Sequence, residues 1–92
     1  MITPELARLR EEIERLDRAL VQLIAERVRL AREIGEAKRV AGLPTLDHSR
    51  EAAVVRRAVV LAREAGLPYA DDIRQIFWRV IGLSRRVQTD DA

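Results

Sequence analysis

Residues 4–41 read PELARLREEIERLDRALVQLIAERVRLAREIGEAKRVA, and the spacing of the apolar residues in this stretch decides the fold. Leu6, Leu9, Ile13, Leu16, Leu20 and Leu23 are followed, after Arg27, by Leu30, Ile34, Ala37 and Ala41, in steps that alternate three and four without a slip. That is the heptad pattern of one long helix packed along a single seam. Pro4 suits a first helical turn, Thr3 suits the N-cap, and Gly42 followed by Pro44 is a stop signal. At a rise of 1.5 Å per residue the helix spans about 55 Å. A compact chain of 92 residues has a diameter of only about 30 Å. The helix must therefore project beyond its own subunit, and an apolar seam along its full length requires cover. A symmetric dimer, in which the long helices pair and each helps build the other's core, provides it.

Working outward, the segment AGLP at residues 41–44 recurs at residues 65–68, so two stops divide the chain into three helices. They are predicted at about residues 4–41, 48–65 and 70–89, and residues 1–92 form one all-α domain with one very long and two shorter helices. The second helix starts near Asp47, His48 or Ser49 and carries Val54, Val55, Ala58, Leu61, Ala62 and Ala65. The third follows Asp71 and Asp72, carries Ile73, Ile76, Phe77, Val80, Ile81 and Val87, and is expected to fray over Thr89–Ala92.

Composition agrees and removes several classes of function. With 3% aromatic residues, 4 Gly and 3 Pro the chain is too poor in turn formers and rings for a β-sandwich or barrel. Zero Cys excludes a disulfide framework, a thiolate nucleophile and cysteine-held zinc, and 1 His cannot build a metal cluster. The net charge is +2, and residues 1–47 hold nine basic and nine acidic side chains, so no one-sided block points to nucleic acid. No apolar run reaches the roughly 18 residues of a membrane span, and no charged start leads into an apolar stretch, so neither a membrane span nor a signal peptide is expected among these residues. The 17 cations resolve into 16 Arg and one Lys, Lys38.

Polar residues interrupt the apolar pattern at a few places. Arg27 occupies the seam between Leu23 and Leu30, where a charge costs several kcal/mol unless an anion meets it or its stem packs while its head reaches a glutamate or solvent. Lys38 lies eleven residues on, within about 20° of the same face and about 16 Å further along the axis, so the two cations can lean towards one small anion. Arg10 is about 25 Å before Arg27 and about 100° around the helix. It cannot easily serve that site in cis, but in an antiparallel dimer it lies beside the middle of the partner's helix. On the third helix the stripe Phe77, Ile81, Ser84, Gln88 ends in two hydrogen-bonding residues, which need partners if buried and are merely solvated if the end frays. In DHSRE, Asp47 suits an N-cap, Glu51 falls on the stripe with Val54, Val55 and Ala58, Arg50 reads equally well as a surface residue, and His48 reads as a solvent-exposed first-turn residue rather than a catalyst.

Together, Arg10 in LRE, Arg27 in LIAER, Lys38 in GEAK, the element Asp47-His48-Ser49-Arg50-Glu51, and the Ser84 to Gln88 spacing resemble the all-helical class of chorismate mutases over nearly the whole chain. The resemblance implies an intertwined six-helix homodimer with two equivalent sites. It implies the Claisen rearrangement of chorismate to prephenate, on the route to phenylalanine and tyrosine, without a cofactor or metal. By the same resemblance Lys38 and Gln88 are the catalytic donors to the ether oxygen. Arg27 and the partner chain's Arg10 hold the carboxylates, Ser84 assists, Asp47 and Glu51 engage the ring hydroxyl, and Arg50 supports the site. Such residues suit a reaction that needs only a folded dianion and stabilised charge on one oxygen. Gln88 is neutral, whereas some relatives place Glu there and need it protonated to donate.

Isochorismate-pyruvate lyase, a relative on the same fold, is the nearest alternative, and the DxxRE element at Asp47–Glu51 favours the mutase. A non-catalytic helical dimerisation or regulatory module is the other. Mutases of this class are often joined to other aromatic-pathway enzymes, so the resemblance also admits such a partner enzyme. The expected location is the cytoplasm, with neither nucleic acid nor membrane as partner.

Overall fold

The computed structural model describes residues 1–90 as three α-helices, α1 (Pro4–Ala41), α2 (His48–Glu64) and α3 (Ala70–Asp90). The described residues contain no strand. The Thr3 hydroxyl accepts the Leu6 N–H at 3.1 Å and caps α1. Both AGLP segments act as stops of one kind. Gly42 and Gly66 adopt φ of 69° and 80°, a left-handed conformation in which any side chain is strained. The turn at Gly42 lets the Leu43 N–H reach the Lys38 carbonyl at 2.8 Å, and the turn at Gly66 lets the Leu67 N–H reach the Ala62 carbonyl at 2.8 Å. Asp47 caps α2 by accepting the Arg50 N–H at 3.0 Å.

α3 packs against both other helices, and among the described residues no close backbone approach joins α1 to α2. The space left between those two becomes the site described below. The core is Val54 and Val55 of α2 against Ile81 of α3, with Phe77 beside them. Ala58, Val59 and Ala62 extend the buried face of α2, so Val59 takes an inward place while Leu61 and Ile76, expected in the apolar stripes, lie about half-exposed. The buried set 54, 55, 58, 59, 62 is a single stripe of steps of one and three, and position 61 points about 100° away from 62. The end of α3 is not frayed at Thr89, whose hydroxyl back-bonds to the Arg85 carbonyl at 2.9 Å. Asp91 and Ala92, the rest of that expectation, lie outside the described residues.

α1 contributes only Ala31 and Gly35 to the buried set. Its seam residues Leu6, Leu9, Ile13, Leu16, Leu20, Leu23, Leu30 and Ile34 are 36% to 60% exposed. The chain measures 58 × 26 × 17 Å with a radius of gyration of 16.9 Å, far from the roughly 12 Å of a compact unit of this length. The long dimension matches that of α1, about 57 Å for its 38 residues. Among the described residues no helix is long and apolar enough to cross a membrane.

Candidate active site

A cavity of about 280 Å³ opens between the C-terminal half of α1, the start of α2 and the end of α3. Seven of the eight residues singled out from the sequence line it: Arg27, Lys38, Asp47, Arg50, Glu51, Ser84 and Gln88. The eighth, Arg10, is exposed on α1 and lines no part of the cavity. Seventeen residues of helix place it about 25 Å from Arg27, too far along α1 to reach the cavity of its own chain.

Lys38 stands in the last turn of α1, and the left-handed turn at Gly42 folds the following loop back over it. Its Nζ donates to the Thr45 carbonyl at 2.7 Å and to Gln88 Oε1 at 3.0 Å. An ammonium has three donors, so one remains for a ligand. Because an ammonium can only donate, its partner on Gln88 is the amide oxygen, which leaves the amide N–H groups of Gln88 as donors. The two residues are fifty apart in sequence and meet because α1 and α3 approach very closely at Gly35. A Cβ at Gly35 would stand 3.1 to 3.3 Å from Cγ, Cα and Cβ of Gln88, tighter than packing normally allows. The cost of glycine within a helix, about 1 kcal/mol relative to alanine, is therefore the cost of seating Gln88 beside Lys38.

At the other end of the cavity Arg27 Nη1 donates to the Ser84 hydroxyl at 2.5 Å, and that hydroxyl donates onward to the Val80 carbonyl at 3.3 Å. The Arg27 guanidinium is pushed below the ordinary arginine range, first by burial and then by repulsion from Arg57 and Arg50. It remains charged, and an anion among these cations relieves the repulsion. Among the described residues no glutamate meets the head of Arg27, which reaches Ser84 and the cavity. Asp47 serves two purposes, since Oδ1 caps α2 and the side chain also forms cavity wall.

Three participants carry no signal that was used in the sequence. Thr45 acts through its carbonyl, which any residue has. Gly35 acts by having no side chain, and only its position inside a helix could have drawn notice. Arg85 is the third. Its guanidinium grips both carboxylate oxygens of Glu51, with Nε to Oε2 at 2.8 Å and Nη2 to Oε1. Arg85 stands three residues before Gln88, hence on the same face of α3, which was the available clue. The Glu51 carboxyl is held below the usual carboxylate range, chiefly by the Arg85 hydrogen bonds and against its own partial burial. His48 is exposed, with Nδ1 3.5 Å from Glu51 Oε1, in keeping with a first-turn surface residue.

The cavity thus holds four cations against two carboxylates from one chain, +2, between apolar walls that include Leu30, Ile34, Val54 and Ile81. It presents cationic and neutral donors on one side and a neutralised acceptor on the other. Such a site can bind a small anion, fix its shape and stabilise charge on an oxygen.

Known proteins match this chain along most of its length. It is 37% identical over 90 residues, 95% of this chain, to the 3-dehydroquinate dehydratase of Pyrobaculum aerophilum, of which the match covers 26%. It is 36% identical over 86 residues, 94% of this chain, to the T-protein of Enterobacter agglomerans, of which the match covers 23%. With the intracellular chorismate mutase of Mycobacterium tuberculosis it shares 43% identity over 54 residues, 59% of this chain and 51% of that protein. The chain spans about a quarter of the length of the first two relatives. A family model described as chorismate mutase type II matches residues 9–89, the segment that holds most of α1, all of α2, nearly all of α3 and every candidate site residue, and the chain belongs to that family.

Proposed function

We propose that this chain converts chorismate to prephenate as an intertwined homodimer, with residues 1–92 acting as one catalytic domain. The observation that carries the reading is the contact of Lys38 with Gln88 at 3.0 Å, in the same cavity as Arg27 and Ser84. In the rearrangement the ether C–O bond breaks as a C–C bond forms within one molecule, and no proton or nucleophile is required. Negative charge grows on the ether oxygen, where the free donor of Lys38 and an N–H of Gln88 can meet it. Arg27 and Ser84 hold one carboxylate, and Arg10 of the second chain closes on the other. Asp47 and Glu51 accept from the ring hydroxyl, while Arg50 adds positive potential at the wall. A millionfold acceleration corresponds to about 8 kcal/mol, within reach of conformer selection plus two strong donors. The cytoplasm is the location we infer, and a partner enzyme of the aromatic pathway fits relatives in which a similar segment is part of a longer protein.

The test is loss of chorismate absorbance with matching formation of prephenate by the purified chain. Isochorismate is offered in parallel. Release of pyruvate from isochorismate without turnover of chorismate would replace the mutase reading with the lyase.

Gly35→Ala gives a graded check on the donor pair. The added methyl pushes on the backbone and stem of Gln88, so turnover is expected to fall about tenfold, because small misplacements of catalytic groups are costly. The gain in helix propensity offsets much of the packing strain, so thermal stability should change by no more than about 1 kcal/mol. Unchanged kcat would mean that the close approach at Gly35 does not set the position of Gln88.

A further inference from the structure

Glu51 is the one acid on the cavity wall whose two oxygens are both engaged by a single cation. Its side chain is only 14% exposed, whereas that of Arg85 is 42% exposed. The pair joins the first turn of α2 to the last turns of α3. A dianionic ligand in this cavity meets Glu51 at close range, and an unneutralised carboxylate there would oppose binding. A bidentate guanidinium removes that opposition and leaves lone pairs on both oxygens for a ligand hydroxyl. We propose that Arg85 is a positioning residue that neutralises and aims Glu51, so that the cavity keeps a hydrogen-bond acceptor without repelling a dianion. The proposal rests on the chorismate reading for its ligand, but the pairing itself does not.

The groups around Glu51 fix the expected behaviour. Arg85 faces it from α3, His48 and Arg50 share its helix, Asp47 precedes that helix, and Lys38 and Arg27 stand on the opposite wall in α1. Without Arg85 the nearest cation of the set is lost, and the carboxyl moves up towards the ordinary glutamate range.

The experiment uses the full chain and its Arg85→Leu and Arg85→Lys variants. At pH 7.5 Arg85→Leu is expected to raise KM for chorismate about tenfold with kcat changed less than about threefold, and Arg85→Lys should recover part of the loss. The KM defect of Arg85→Leu should shrink only as pH falls into the ordinary glutamate range, where protonation of Glu51 removes the repulsion. Carbon-13 titration of the Glu51 carboxyl should show its pKa raised in Arg85→Leu relative to the parent. An unchanged KM, or a raised KM with an unaltered Glu51 titration, would overturn the proposal; in the second case Arg85 would be touching the substrate itself. If the parent chain fails to turn over chorismate, the functional reading falls, and the Glu51 titration still decides whether Arg85 governs that carboxyl.

Discussion

Lys38→Ala is expected to lower kcat/KM for chorismate more than about a hundredfold, a loss of about 3 kcal/mol or more of transition-state stabilisation. Helix content and dimer mass should stay unchanged. The ammonium of Lys38 bridges the Thr45 carbonyl and Gln88, with a third donor free. In the proposed reaction its removal takes away a charged donor at the oxygen where charge grows, and it also frees Gln88 from its orienting contact. The fold loses little, because the stem of Lys38 is not part of the Val54, Val55, Ile81 core. Lys38→Arg should rescue poorly, since a planar guanidinium does not reproduce a compact ammonium held between two oxygens. Activity within about threefold of the parent in Lys38→Ala would show that these donors are not the catalytic ones.

The second large effect concerns the exposed seam. Leu16→Glu is expected to abolish activity and shift the solution mass from about twice 10.5 kDa to the single chain. Leu16 is 47% exposed in the single chain, as are most of its seam neighbours to a similar degree. Each large apolar side chain withdrawn from water contributes about 1.5 to 3 kcal/mol when fully buried. A charge at this position costs several kcal/mol in an apolar interface, and two-fold symmetry introduces it twice. Because Leu16 is far along α1 from the cavity, which begins at Arg27, loss of turnover would report loss of the second chain. A monomeric Leu16→Glu variant with full activity would mean that one chain suffices. Mass measured across a concentration series reads the first effect, and chorismate turnover on the same samples reads the second.

Much of this architecture was legible in local signals. The heptad steps from Leu6 to Ala41 gave the long helix to its last residue, and the repeated AGLP placed both stops because Gly and Pro act within a few residues of chain. The cavity was legible through breaks in pattern, since Arg27 in a leucine seam and Ser84 and Gln88 on an apolar stripe all turned out to line it. What could not be read depends on how α3 crosses the other helices. The grip of Arg85 on Glu51, thirty-four residues away, and the seating of Gln88 on Gly35 are set by packing at a distance. Thr45 contributes a carbonyl whose importance comes from where the loop returns, not from its side chain. The exposed Leu61 and Ile76 show the same limit from the other side, because apolar identity alone does not say which flank of a stripe faces the core.

In the proposed dimer each site draws Lys38 from one chain and Arg10 from the other. Mixing two defective variants tests it most directly. Arg10→Ala and Lys38→Ala should each be nearly inactive alone. After joint unfolding and refolding at equal amounts, half of the dimers are mixed, and each mixed dimer has one site with both native residues. The mixture is therefore predicted to recover about a quarter of the parent activity towards chorismate. A mixture no more active than the two variants measured separately, with exchange of chains confirmed by mass, would contradict a site shared between two chains.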